Sequence, residues 1–151
     1  MSENSAMFKY DEYGNTREIY VYTSGSGLHG NAFINKGTAF TWDERVRLGL
    51  VSMLPPAVRT LEEQVTNSKY KVLHKESDIE RFVYIRSLFD RNVTLAHALI
   101  KNDIAKNMSI IYTPTVGLAC QNFSSMFRSA NGLHFYPGNI DHAEDLSLIH
   151  I

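Results

Sequence analysis

From Thr41 onward the apolar positions recur with a period close to 3.6, and each periodic run opens on a hydroxyl residue. Thr41 with Glu44, Thr60 with Glu63, and Ser77 with Glu80 each fit a capping box, in which hydroxyl and carboxylate satisfy two of the helix's free N–H groups. The first predicted helix carries Val46, Gly49, Leu50 and Met53 on one face and is stopped by Pro55-Pro56. A second carries Leu61, Val65 and Val72 around a polar middle. A third shows Phe82, Ile85 and Phe89, with Val83 and Leu88 widening the stripe. Asn92 caps a fourth, where Leu95, Ala96, Leu99, Ile100 and Ile104 face inward. The short loops predict nearly antiparallel neighbours.

Next comes Ile110-Ile111-Tyr112, which reads as an extended apolar segment leading into a fifth helix. Thr113 is its expected N-cap and Pro114 its first residue, where a missing N–H costs nothing. Val116, Ala119, Cys120, Phe123 and Phe127 then share its inward face. Tyr112 is thereby expected beside a positive helix end, a sound way to present a phenol as a proton donor.

Outside this helical run the period changes. Residues 1–16 are polar and expected to be loosely ordered, and Arg17–Thr23 reads as a strand rich in β-branched and aromatic residues. Leu133–Tyr136 reads as another strand, closed by Pro137-Gly138, and Asp141–Asp145 as the start of a helix. A lone strand cannot pair with itself, so these residues are expected to open a second, α/β domain. The last six residues continue no pattern and resemble the in-frame translation of a sequencing adaptor. They are expected to be a non-native tail on a truncated product, which genomic sequence past Asp145 would test. The expected organisation is an arm and loop over 1–32, a helical domain over 33–130, the start of an α/β domain over 131–145, and the tail over 146–151.

Gly25-Ser26-Gly27-Leu28-His29-Gly30 matches G-x-G-x-x-G behind a predicted strand. A dinucleotide fingerprint must open a helix and be followed about 20 residues on by an acid ending the next strand. Here Asn35-Lys36-Gly37 breaks the chain again, and Asp43 and Glu44 fall at a helix start. A loop is expected.

Composition narrows the classes. A formal net charge of −1 in 151 residues gives no case for nucleic acid or an anionic membrane. No apolar run approaches the roughly 18 to 20 residues that span a bilayer. The first residues lack the pattern of a signal or transit peptide, so the expected address is cytoplasmic. Cys120 is the single cysteine, placed by its helical position as a small core side chain. The six histidines are scattered without metal-ligand spacing.

Ile111-Tyr112-Thr113-Pro114-Thr115-Val116-Gly117-Leu118-Ala119-Cys120-Gln121 resembles the signature of the malic enzyme family. Three further stretches agree in order: Asn35–Thr41, then Glu44-Arg45 through Leu48-Gly49-Leu50 to Leu54-Pro55-Pro56, and Thr60–Gln64. The resemblance covers roughly residues 33 to 136. It implies a mainly α fold: a helical N-terminal malic enzyme domain with a short N-terminal strand or arm, and the first strand of the following α/β domain.

The resemblance also implies a chemistry. Malic enzymes oxidise L-malate with NAD or NADP and decarboxylate the product with a divalent metal, Mg or Mn. They then protonate the enol of pyruvate at carbon. The family's general acid maps onto Tyr112; a phenol is protonated at neutral pH and can donate directly. The family's base, malate-binding arginine, metal ligands and dinucleotide domain match nothing in this chain, which is expected to be inactive alone and to bind neither metal nor cofactor. Some members carry a dicarboxylate activator site at a dimer interface, built from two arginines and a glutamate. Arg91 matches one arginine, whereas Asn67 and Arg59 stand near the other two positions, so activation is in doubt. Ala96, His97, Ala98, Ala130 and Asn131 also depart from the family pattern. The parent is expected to be a dimer or tetramer. The alternatives are a malolactic enzyme, a non-enzymatic helical dimerisation module, and, more remotely, a nucleotide-binding module using Gly25–Gly30.

Overall fold

Two clusters of buried apolar side chains organise the chain. The computed structural model describes residues 6–127 and 136–142. It is mainly helical, with one short antiparallel sheet at the N-terminal end, and divides into two units, 1–121 and 122–151.

The chain begins with a hairpin of β1 (Ala6–Tyr10) and β2 (Thr16–Val21), with Met7 opposite Tyr20 and Lys9 opposite Glu18. Residues 6–10 are thus a strand, not part of a loosely ordered tail. The cause is the turn at Asp11–Asn15, where the Asp11 carboxylate accepts from the N–H groups of Tyr13 and Asn15 and Gly14 takes φ +79°. Those bonds, with Asn15 first, hold the Asp11 carboxyl below its ordinary range.

Gly25–His29 is helical (α1) where a loop was expected. Leu28, 1% exposed, packs into the smaller cluster with Ile34, Phe40, Leu50 and Leu54. Gly25, at φ +53°, bonds through its N–H to the Leu48 carbonyl. Tertiary packing therefore holds a sequence with poor helix propensity.

Helix α2 (Trp42–Arg47) ends earlier than Pro55-Pro56. Gly49 takes φ +68°, its N–H bonds the Val46 carbonyl, and the Leu50 N–H bonds that of Arg45. This is a Schellman ending, which turns Leu50 into the core and leaves Val46 and Met53 exposed. The buried residue of α2 is Arg45.

The larger cluster joins α3 (Leu61–Leu73), α4 (Asp78–Phe89), α5 (Val93–Asn102) and α6 (Ile104–Ile111). It contains Val65, Val72, Ile85, Leu88, Leu95, Ala96, Leu99 and Ile110. Gln64 and Ser68 complete the buried stripe of α3, so its polar middle faces inward. The capping boxes at Thr41 and Thr60 are complete. At Ser77 only half forms, because the Glu80 carboxylate turns to the Glu76 N–H. Ile104 is 56% exposed and begins α6 rather than ending α5, since Asp103 breaks the ladder and caps the next helix. Asn35 links the two clusters: its Nδ2 donates to the carbonyls of His29 (2.9 Å) and Arg91 (2.8 Å), and its Oδ1 accepts from the Gly37 N–H.

Helix α7 (Thr115–Gln121) closes the first unit. It does not run on through Phe127: Phe123–Met126 is a separate short helix, α8, in the second unit. There Phe123 and Phe127 meet edge to face at 5.7 Å, and Ile140–His142 forms a 3-10 turn. Of the predicted strand Leu133–Tyr136 only Tyr136 is described, and the 146–151 tail lies outside the described residues.

Candidate active site

Ile110 and Ile111 do not form an extended pair; they are the last turn of α6, with Ile110 2% exposed in the larger cluster. The apolar pair carries the inward stripe of a short helix, and periodicity over so few residues cannot separate that from a strand. Helix α6 is fastened at its other end too. Asn107, buried, donates through Nδ2 to the carbonyls of Leu99 (2.9 Å) and Ile100 (3.3 Å) at the end of α5. Both carbonyls lie in the last turn of α5, where intrahelical donors run out; that of Ile100 also accepts from the Asp103 N–H at 3.3 Å.

Tyr112 stands at the junction of α6 and α7. Its N–H bonds the Met108 carbonyl and its own carbonyl accepts from the Val116 N–H, both at 2.9 Å. The backbone is thus tied into both helices. Thr113 and Pro114 are exposed, and the regular ladder begins at Thr115, so Pro114 precedes the helix instead of opening it. The expected Thr113 cap does not form. The hydroxyl at work is Thr115's: 4% exposed, it donates to the Ser109 carbonyl at 2.7 Å. The signal for it was present in Thr113-Pro114-Thr115, but capping rules point to the residue before the proline.

The Tyr112 side chain is 63% exposed, and among the described residues its hydroxyl has no hydrogen-bond partner. It lies between the negative end of α6 and the positive end of α7, so the expected electrostatic setting is only half right. The geometry presents a phenol outward from a fixed backbone, available to a molecule arriving from solvent.

Cys120 is exposed, against the expectation of a core position. The buried stripe of α7 runs through Thr115 and Ala119, four residues apart, and Cys120 lies a further 100° round the helix. Arg91 is exposed between α4 and α5; its backbone is held by Asn35 and by a bond from its N–H to the Leu88 carbonyl. Arg59 and Asn67 are exposed as well.

The described residues are arranged for neither a metal nor a dinucleotide. Among the described residues no three His, Cys, Asp or Glu side chains are grouped to hold a metal ion. The strand before Gly25 pairs antiparallel with β1, and α1 is a five-residue helix with Leu28 buried, so the parallel strand–helix–strand frame of a dinucleotide site is missing there. Among the described residues no helix is long and apolar enough to cross a membrane.

Residues 89–148, which include Tyr112 and its flanking helices, match the family model described as malic enzyme, N-terminal domain. Over these residues the chain is similar to the N-terminal domain of malic enzymes. It is 38% identical over 130 residues to NAD-dependent malic enzyme 1 of Vibrio vulnificus (strain YJ016), covering 86% of this chain and 23% of that protein. It is 39% identical over 130 residues to the NAD-dependent malic enzyme of Vibrio campbellii, with the same coverage. It is also 39% identical over 132 residues to that of Shewanella loihica, covering 87% and 24%. The chain therefore spans about a quarter of the length of these curated relatives.

Proposed function

We propose that the chain is the N-terminal part of a longer malate oxidoreductase. That protein would convert L-malate and NAD to pyruvate, carbon dioxide and reduced cofactor with a divalent metal, Mg or Mn, in the cytoplasm and as a homo-oligomer. NAD is favoured over NADP by the names of the relatives. On this reading the chain's own contribution is to hold a proton at Tyr112 Oη. The phenol would donate it to C3 of the enolate of pyruvate, which becomes the ketone, and the phenolate would recover a proton before the next turnover. Residues 33–130 form the helical domain on this reading, and Arg91 faces a subunit contact or an effector.

The observation that carries the proposal is Tyr112 itself: exposed at a junction tied into two helices, inside the segment that matches the family model. The test is to extend the source transcript past Asp145, express its product, and assay malate-dependent reduction of NAD with manganese. The 151-residue chain is assayed beside it and should show no turnover. Activity in the short chain, or none in the extended protein, would overturn the proposal.

A further inference from the structure

Thr115 holds the position from which Tyr112 acts, we propose; the inference rests on the functional reading of Tyr112 just given. The last carbonyls of α6 need donors from beyond the helix. The Tyr112 N–H takes that of Met108. Residue 114 is a proline and can offer none, and α7 spends the N–H of Val116 on the Tyr112 carbonyl and that of Gly117 on Pro114. The Ser109 carbonyl is met instead by the Thr115 hydroxyl at 2.7 Å.

That bond crosses the turn carrying Tyr112 and ties the end of α6 to the start of α7. Thr115 is buried while Tyr112, Thr113 and Pro114 are exposed. The strut is therefore shielded from water at its Thr115 end, although Ser109 and Tyr112 are exposed. A donor in proton transfer to carbon must sit within hydrogen-bond reach of the reacting atom, and a displacement near 1 Å can cost about a hundredfold. Thr115 touches no substrate on this account; it is a positioning residue.

The test uses Thr115→Val, which keeps the shape and removes the donor, Thr115→Ser, which keeps the donor, and Tyr112→Phe. In the 151-residue chain labelled with 3-fluorotyrosine, the resonance lost in Tyr112→Phe identifies Tyr112. Thr115→Val should broaden or shift that resonance and speed amide exchange at Val116 and Gly117, while Thr115→Ser leaves both close to wild type. In the extended protein, with pyruvate, NADH and manganese, deuterium uptake into the pyruvate methyl group reports the proton transfer alone. Thr115→Val should slow it about tenfold with KM little changed, and Thr115→Ser should restore it. If Thr115→Val does not fold, Thr115→Ala serves as the variant lacking the donor.

An unchanged resonance and unchanged uptake in the variant without the hydroxyl would overturn the role of Thr115 and leave Tyr112 standing, provided Tyr112→Phe is inactive. Full uptake in Tyr112→Phe would overturn both, and the resonance would still show whether Thr115 fixes the turn.

Discussion

Arg45 is fully buried, and among the described residues it forms no ion pair. Its guanidinium donates instead to backbone carbonyls: Nε to Phe40 (2.9 Å), Nη1 to Pro55 (2.7 Å), and Nη2 to Thr38 (3.0 Å) and Ala57 (3.2 Å). A planar fork with five donors can join two loop segments in this way, whereas an ammonium cannot. Arg45→Met should therefore cost at least about 3 kcal/mol, because one buried and three part-buried carbonyls lose their donor at once. Urea unfolding measures it, and a loss under about 1 kcal/mol would contradict the assignment. Neighbouring Glu44 gives a pH signature. Burial pushes its carboxyl up, but bonds from Lys36 and from Thr41 outweigh burial and hold it below 4.5. A lowered folded value means the contribution is present above 4.5 and is lost as pH falls through the folded value. Glu44→Gln should be less stable than wild type at about pH 7, by under about 1 kcal/mol for a pair this exposed, and the gap should close as pH falls through the folded value. A gap that widens in acid would refute this.

At the scale of elements, local chemistry predicted starts better than ends. The hydroxyl and glutamate of Thr41–Glu44 and Thr60–Glu63 interact within one turn, so their boxes could be read from four letters. Replacing Thr60 with Ala should cost about 1 kcal/mol in the midpoint of urea unfolding, and no change would show the cap is redundant. Endings depend on partners far along the chain. Helix α2 stops at Gly49 because Leu50 has a core to enter, and α1 exists because Leu28 does. The signature stretch shows the same division. Its likeness to a family could be read from its letters, but the helical state of Ile110-Ile111, the exposure of Cys120 and the bond made by Thr115 depend on which face α4 and the end of α6 cover. Buried polar residues were the least legible, because Asn35, Arg45 and Asn107 bond to carbonyls that no local pattern names.

At the scale of the whole molecule, the two cores meet through Asn35, the bond from Val93 N–H to the Ala32 carbonyl, and the bond from Gln64 to Lys36. Gly37 permits that approach: it takes φ +57°, and a Cβ there would stand 3.0 Å from the Gln64 side chain. The helices with the larger core then carry Tyr112 on a fixed frame, while the rest of the catalytic apparatus is proposed to lie in the longer protein. On the proposed function this frame presents one proton, at Tyr112. The most direct measurement is deuterium exchange into the methyl group of pyruvate by the extended protein, comparing Tyr112 with Tyr112→Phe. The account predicts that exchange falls by at least about a hundredfold in the phenylalanine variant while NAD binding is retained. Exchange at the wild-type rate in that variant would contradict it.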